Sequence, residues 1–531
     1  MSSRISPSQF ANIVRANALS SLLLCALTAC YSTTERHDRP DAKAPEDEPD
    51  AAQQDPSARE EPPPPVDMGD EDPDDLFDPD RIHTFELRID EEDLAFLDQD
   101  PKAEEYVRGD LTFEGKRVGP VGVRYKGSTG SFVGCLSGSY FPPTGSKTCT
   151  KLSMKIKIDY ADDDAKFYGQ KKLLFHAMNS DRSLMRERLG YGVYREAGVK
   201  ASRTAHMRLL INGELNGLYL LVEEVDGRFT RGRFDDGGKG NLYKEVWPLH
   251  ESEERYRIAL ESNQSDDVPS DKMIGFAQAL RAADDASLPS VLETWLDTDY
   301  TTRVIAIDRA IRADDGPYHW YCTQGMDVGD HWGLQTKAGN YACGNHNYYW
   351  YQDSEADRLW LIPWDLDGSM PNMRIGYTTI LTRWDDVAKS CAAPQQGVGN
   401  SQLPSTCDPL LRGVALGYAD RVRAHMQELI DGPLSAEAVD EKLDRWADQI
   451  EPVVDEVSAL YPREPSVTAF RNEVATLKRT LGRLRGEALA TPPAPDAGID
   501  HEPDPDPEPE PTDEDAGAGE LDGAAPLFLA R

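Results

Sequence analysis

Asp365 and Asp367 stand two residues apart in "LWLIPWDLDGSM" (359–370), where an apolar run ends in carboxylates. The run reads as a buried strand, and alternate residues of a strand share a face. Two carboxylates on one face repel unless a cation relieves them. Mg2+ suits that task, because it takes one or two carboxylates and fills its shell with phosphate oxygens; the alternative is a surface turn whose aspartates are solvated, which the apolar run before them disfavours. Asn347 in "HNYYWY" offers a side-chain oxygen to the same ion; equally, it could cap a turn. Asp314 and Asp315 in "RADDGPYHWY" close a helical stretch. A loop aspartate in such a place can accept a substrate hydroxyl proton during phosphoryl transfer, or it can be a solvated helix end. On spacing alone the solvated helix end is the better reading.

Phosphate also needs cations and backbone donors. Lys155 and Lys157 fall on the polar face of "KLSMKIKID" (151–159), and a lysine ammonium is a point charge suited to phosphate oxygens. At least one of the pair is expected simply to face solvent. Glu187 follows in a predicted helix and could pair with the lysine, while Arg186 and Arg188 flank it. "KGSTGS" (126–131), with Gly127 and Ser128, can bring backbone N–H groups close to phosphate. Glu224 in "VEEVDG" (222–227) marks either a hinge that reads adenine through backbone groups or a plain strand end.

These residues need elements to hold them. "HTFELRID" (83–90) alternates as a strand and "EEDLAFLDQD" follows as a short helix. "GPVGVRYKGSTGS" (119–131) is a strand entering a glycine-rich turn. In 151–159, Leu152, Met154, Ile156 and Ile158 take one face, and Lys151, Ser153, Lys155 and Lys157 the other. "SDRSLMRERLGYGVYREAG" (180–198) reads as a helix with Ser180 or Asp181 as cap and Gly198 as stop. "RTAHMRLLINGELNGLYLLVEEVDG" (203–227) reads as a hairpin. Beyond about 290 the chain leans helical, apart from a hairpin over "HNYYWY…LWLIPWDLD". The order is strand, glycine turn, lysine strand, helix, hairpin, crossover at 223–230, then a mainly helical half. That is the protein-kinase order, although H-R-D and D-F-G motifs are missing.

On "VRYKGSTG" with "KLSMKIKID", "NSDRSLMRERLGYGVYREAG", "LLINGELNGLYLLVEEVDGRF" with "GNLYK", and "HNYYWY…IPWDLDGSM", the chain resembles the spore coat protein H (CotH) family of atypical, secreted protein kinases. The resemblance covers most of 81–480. It implies an α+β, kinase-like bilobal fold with a β-rich N-lobe and a mainly helical C-lobe. It also implies transfer of phosphate from ATP, with Mg2+, to serines of exported or envelope proteins. Asp314 or Asp315 would then be catalytic. Asp365, Asp367 and Asn347 would hold metal, and Lys155, Lys157, Glu187, Gly127, Ser128 and Glu224 would hold ATP. The rival reading is a kinase-like fold kept as a non-catalytic surface adhesin or scaffold, since ATP is scarce outside the cytoplasm.

Composition sets the surroundings. Of a formal charge of −37, residues 35–80 carry −14 and residues 491–531 carry −11. Both stretches are rich in Pro, Asp and Glu and are expected to be disordered. So acidic a chain is a poor nucleic-acid partner. Residues 1–29 read as a signal peptide: Arg4 and Arg15 precede a short apolar run ending in Leu27-Thr28-Ala29-Cys30. That ending resembles a bacterial lipobox and implies a lipid on Cys30, hence a membrane anchor facing the periplasm or the exterior; an ordinary secretory signal is the alternative. Residues 30–80 would be a linker, 81–490 the folded domain, and 491–531 a tail. Export permits disulfides. Sequence proximity points to Cys135–Cys149, Cys322–Cys343 and Cys391–Cys407, each closing a loop.

Overall fold

The computed structural model describes Pro65, Gly69 and residues 71–489, apart from 128, 133, 140–142, 264–268, 327–333, 371–383 and 397–400. The expected signal peptide, Cys30, Ser128 and the C-terminal tail lie outside the described residues. Strands are numbered in chain order, as are helices of two turns or more.

Seven strands close into a barrel in the order β1-β2-β3-β4-β5-β7-β6. They are β1 (His83–Ile89), β2 (Val107–Phe113), β3 (Lys116–Tyr125), β4 (Met154–Lys157), β5 (Lys172–His176), β6 (Thr204–Ile211) and β7 (Glu214–Val222). Alternation drives this. Phe85, Leu111, Val123, Ile156, Phe175, Leu209 and Leu221 all point into one apolar interior, as period-two patterning requires. The seam is the parallel pairing of β1 with β6, from His83 opposite Met207 to Leu87 opposite Ile211. Helix α1 (Glu91–Gln99) is capped by Asp90, whose side chain accepts the Glu92 N–H. In the lysine strand the predicted alternation holds from Leu152 to Ile158. Lys151 breaks it: its ammonium is buried, donates to the Leu218 carbonyl at 2.9 Å and pairs with Glu464 at 3.4 Å.

Helix α2 (Arg186–Glu196) starts later than the predicted 180. Asp181 explains the delay. Its carboxylate accepts the N–H groups of Ser183 (2.9 Å), Met185 (2.8 Å) and Arg186 (2.8 Å), which holds 181–185 in a turn ahead of the helix. Gly198, at φ +80°, ends it.

After the barrel the chain is mixed rather than mainly helical. Helices α3 (Asp271–Ala282), α4 (Leu288–Trp295) and α5 (Thr298–Ala310) lead into two further sheets. A three-stranded sheet runs in the order β13-β12-β8, from β8 (Asn241–Lys244), β12 (Tyr348–Asp353) and β13 (Arg358–Pro363). A five-stranded sheet runs in the order β10-β11-β9-β15-β14. It is built from β9 (Trp320–Gln324), β10 (Thr336–Ala338), β11 (Tyr341–Gly344), β14 (Gln395–Gln396) and β15 (Ser401–Leu403). Helices α6 (Pro409–Gly417), α7 (Ala419–Asp431), α8 (Ala436–Leu460) and α9 (Val467–Leu489) complete the described chain. A second apolar core joins α2, the outer faces of β5 and β7, the three-stranded sheet and these helices.

All three expected disulfides are present: Cys135–Cys149, Cys322–Cys343 and Cys391–Cys407. The packed chain also reaches back past the expected boundary at 81. Pro73–Leu76 is a helical turn capped by Asp72, Leu76 and Phe77 are buried, and Asp74 pairs with Arg203 at 2.5 Å. Two apolar side chains in an otherwise acidic stretch are enough to dock it.

Candidate active site

The hairpin β12–β13 builds the centre of the site. Tyr348 pairs with Pro363, so the residues flanking them, Asn347 and Trp364, also meet, and the Trp364 N–H donates to the Asn347 carbonyl at 3.1 Å. That brings Asn347 beside Asp365. The strand stops at Pro363. Asp365 adopts a left-handed conformation (φ +51°, ψ +64°), and Leu366–Gly368 is a 3₁₀ turn. Asp365 and Asp367 therefore share no strand face, contrary to expectation, because both residues lie past the strand. Asp365 is held instead through its N–H, which donates to Tyr191 Oη on α2 at 3.0 Å.

The loop after α5 supplies the second wall. Asn347 Nδ2 donates to the Asp315 carbonyl (2.9 Å) and to Asp315 Oδ2 (3.0 Å). Asp314 turns the other way. It is buried against Arg312, with Nη2 to Oδ2 at 2.9 Å, and burial pushes its carboxyl up to about 6 although Arg312 opposes the shift. Arg312, Asn347, Asp365 and Met370 all have positive φ, a concentration of uncommon backbone at one place.

Asp308, Asp315, Asn347, Asp365 and Ser369 line a small hollow, with Leu366 among its apolar walls. Among the described residues Asp367 is not part of that lining. Two lining groups went unrecognised in the sequence. Asp308 is fully buried on α5 with Oδ1 held by Arg309, and its Oδ2 has no hydrogen-bond partner among the described residues; nor has Ser369 Oγ. Burial pushes the Asp308 carboxyl up to about 6, with Arg309 opposing.

On the barrel side, Lys126 Nζ lies 2.7 Å from His176 Nε2, and His176 Nδ1 lies 2.9 Å from both Glu187 oxygens. Trp364 joins this file to the hollow, with Lys126 Nζ 5.8 Å from its ring centre and His176 edge-on at 6.3 Å. Burial lowers Lys126 to about 8, against the pull of Asp365 and Glu187. Burial, with the Lys126 ammonium next, holds His176 well below its usual range, and burial raises Glu187.

The predicted lysine–glutamate pairing is rearranged. Lys155 Nζ meets Glu224 at 2.6 Å, and Lys172 approaches the same carboxylate at 3.9 Å. Burial pushes Glu224 up, but these ammoniums outweigh it and hold the carboxyl below its usual range. Glu187 faces His176 instead. Lys157 lies opposite Gly122 and Lys172 and has no ion pair among the described residues. Gly127, at φ +134°, would place a Cβ 2.4 Å from Ser131 Cβ, so the turn requires glycine. In the sequence Lys126 marks only the start of that turn. Its place directly before a glycine at a strand end was the available signal; His176 gave none beyond ending an apolar run.

Among the described residues no three His, Cys, Asp or Glu side chains form a metal cluster. The side-chain donors of Asp315, Asn347 and Asp365 in the hollow are oxygens. That set fits Mg2+ completed by phosphate, rather than an ion caged by protein alone.

A comparison with curated proteins finds no match. The family model described as CotH kinase protein matches residues 123–485, from β3 through α9, and so takes in the glycine turn, the lysine strand, α2 and the hairpin with its aspartates. The chain belongs to the CotH kinase protein family.

Proposed function

We propose that the protein is an ATP- and Mg2+-dependent protein kinase of bilobal plan, acting on serines of exported or envelope proteins and tethered to a membrane by a lipid on Cys30. The observation that carries the kinase reading is the convergence of Asp315, Asn347 and Asp365 on one hollow beside the Lys126–His176–Glu187 file. Asp365 and Asn347 would hold Mg2+, which when bound neutralises phosphate charge as transfer proceeds. Asp367 remains a candidate metal ligand, but its position outside the hollow favours it less than Asp365.

Asp315 is the better placed base. Its carboxylate is oriented by Asn347, whereas Asp314 is sealed against Arg312. In the transfer, the serine oxygen forms a bond to the γ-phosphorus as the bond from that phosphorus to the bridging oxygen of ADP breaks. Asp315 takes the serine proton. Most of the rate would come from positioning and fixed charge.

The test is phosphorylation of the protein's own cell-envelope extract with labelled ATP, together with calorimetry. Asp365→Asn should remove the Mg2+ dependence of ATP binding. Asp315→Asn should leave ATP affinity within about threefold and cut turnover by about a hundredfold or more. Unchanged Mg2+–ATP affinity in Asp365→Asn would reject the metal assignment. Cys30→Ser should move the protein from the membrane to the soluble fraction after a high-salt wash.

A further inference from the structure

A phosphate-binding lysine must be held in place, and in protein kinases a glutamate on the adjoining helix does this. Lys155 is held elsewhere: its ammonium contacts Glu224, just past β7, at 2.6 Å, and that carboxylate is also approached by Lys172.

Lys126 is arranged differently. Tyr125, Met154 and Phe175 form one register row across β3, β4 and β5, and all three point into the barrel interior. The next residue on each outer strand, Lys126 and His176, therefore leaves the barrel on the opposite side, toward α2. There the imidazole spans the gap. With Lys126 as an ammonium, His176 Nε2 must accept, so Nδ1 carries the proton and donates to Glu187. The lysine is thereby fixed by a neutral acceptor, with the glutamate one group further away. An ammonium has three donors, and His176 uses one. Lys126 is half-buried, stands directly before the glycine turn, and shares Trp364 with Asp365 as a neighbour.

We propose that Lys126 is the cation that binds the nucleotide phosphates and that His176 is the residue that positions it, inserted between the lysine and Glu187. The proposal rests on the kinase reading and adds to it the identity of the lysine and a histidine spacer.

The experiment measures Mg2+–ATP binding by calorimetry and steady-state kinetics on the full chain, with thermal melting of every variant. Lys126→Met should weaken ATP binding by about tenfold or more, as loss of a charge-assisted contact does. His176→Phe removes both hydrogen bonds and should raise the ATP KM by a similar factor. His176→Gln keeps an acceptor for Lys126 and a donor for Glu187, and should restore KM to within about threefold. A merely structural histidine would give Phe and Gln variants whose losses follow their melting temperatures, with no recovery in KM; that result overturns its role. ATP affinity lost in Lys155→Met but kept in Lys126→Met overturns the lysine assignment while leaving the kinase reading intact. Failure of the unsubstituted protein to bind Mg2+–ATP overturns both. If His176→Phe does not fold, Lys126→Met and His176→Gln still decide the matter.

Discussion

Asp408 caps α6 from a fully enclosed position, accepting the Leu411 N–H at 2.9 Å and the Trp247 indole N–H at 2.8 Å. Those two bonds do not repay its loss of water, and burial pushes its carboxyl up to about 7. The sign follows from linkage. An acid with a raised folded-state pKa favours the fold below its unfolded pKa, near 4, and that advantage is lost as pH rises through about 7. Asp408→Asn removes the titration and gives up one hydrogen bond, worth about 1 kcal/mol at any pH. The variant should therefore be less stable than the parent at pH 4 and gain on it steadily toward pH 8, by up to about 4 kcal/mol. Urea melts at four or five pH values would read this, and parallel curves would refute it. Residue types alone gave no hint of Asp408, because its burial depends on Trp247, distant in sequence. The same limit explains Asp314 and Asp315. Adjacent identical acids differ only in which one Arg312 sequesters, and that is a property of the fold.

Cys322 and Cys343 sit directly opposite each other on β9 and β11, so their bond links strands that are already hydrogen-bonded. A closed loop with a sequence separation of 21 is worth about 3 kcal/mol on the chain-entropy scale. Replacing both with alanine should cost about 2–3 kcal/mol in urea unfolding. The site should feel it too. β11 ends at Gly344, three residues before Asn347, so a looser β11 should raise the ATP KM before it lowers turnover. An unchanged KM in the alanine variant would show that the hairpin β12–β13 holds Asn347 unaided. Elements with strict alternation or a clear turn were legible: the β6–β7 hairpin around "NGELNG", although its turn is Asn212-Gly213 alone and β7 begins at Glu214, then β12–β13, and the lysine strand. Strands β9 to β11 were not. Their segments are short and rich in glycine and polar residues, so no period emerges, and they become a sheet only through one another. The late start of α2 was likewise hidden, because Asp181 looks like an ordinary helix cap until its three accepted N–H groups are seen.

The matched family segment begins at residue 123, inside β3, but the barrel does not. β1, β2 and most of β3 precede that point. A fragment of residues 123–485 would leave β6 without its parallel neighbour and strip the β3 side of the sheet, exposing unpaired edges of the kind that aggregate. Residues 71–489 should express as a soluble, cooperatively melting protein, whereas 123–485 should be found in the insoluble fraction; a soluble, two-state 123–485 would show that the seam is dispensable. Arg188 adds a further long-range tie. Buried on α2, it bonds the Pro79 carbonyl and Gln449 (3.2 Å) and stacks over Trp446 at 4.2 Å, so the segment before β1 is held against α8. The parallel seam also sets an order in time. Synthesis proceeds from the N-terminus, so His83 to Leu87 emerge long before their partners Met207 to Ile211. The first five strands can form only an open, curling sheet, and loop closure over so long a span delays the final pairing. During that interval Phe85 and Leu87 lack the lid that β6 and β7 later provide, so a nascent chain stalled before residue 204 should be a preferred chaperone client, and one released after 222 should not.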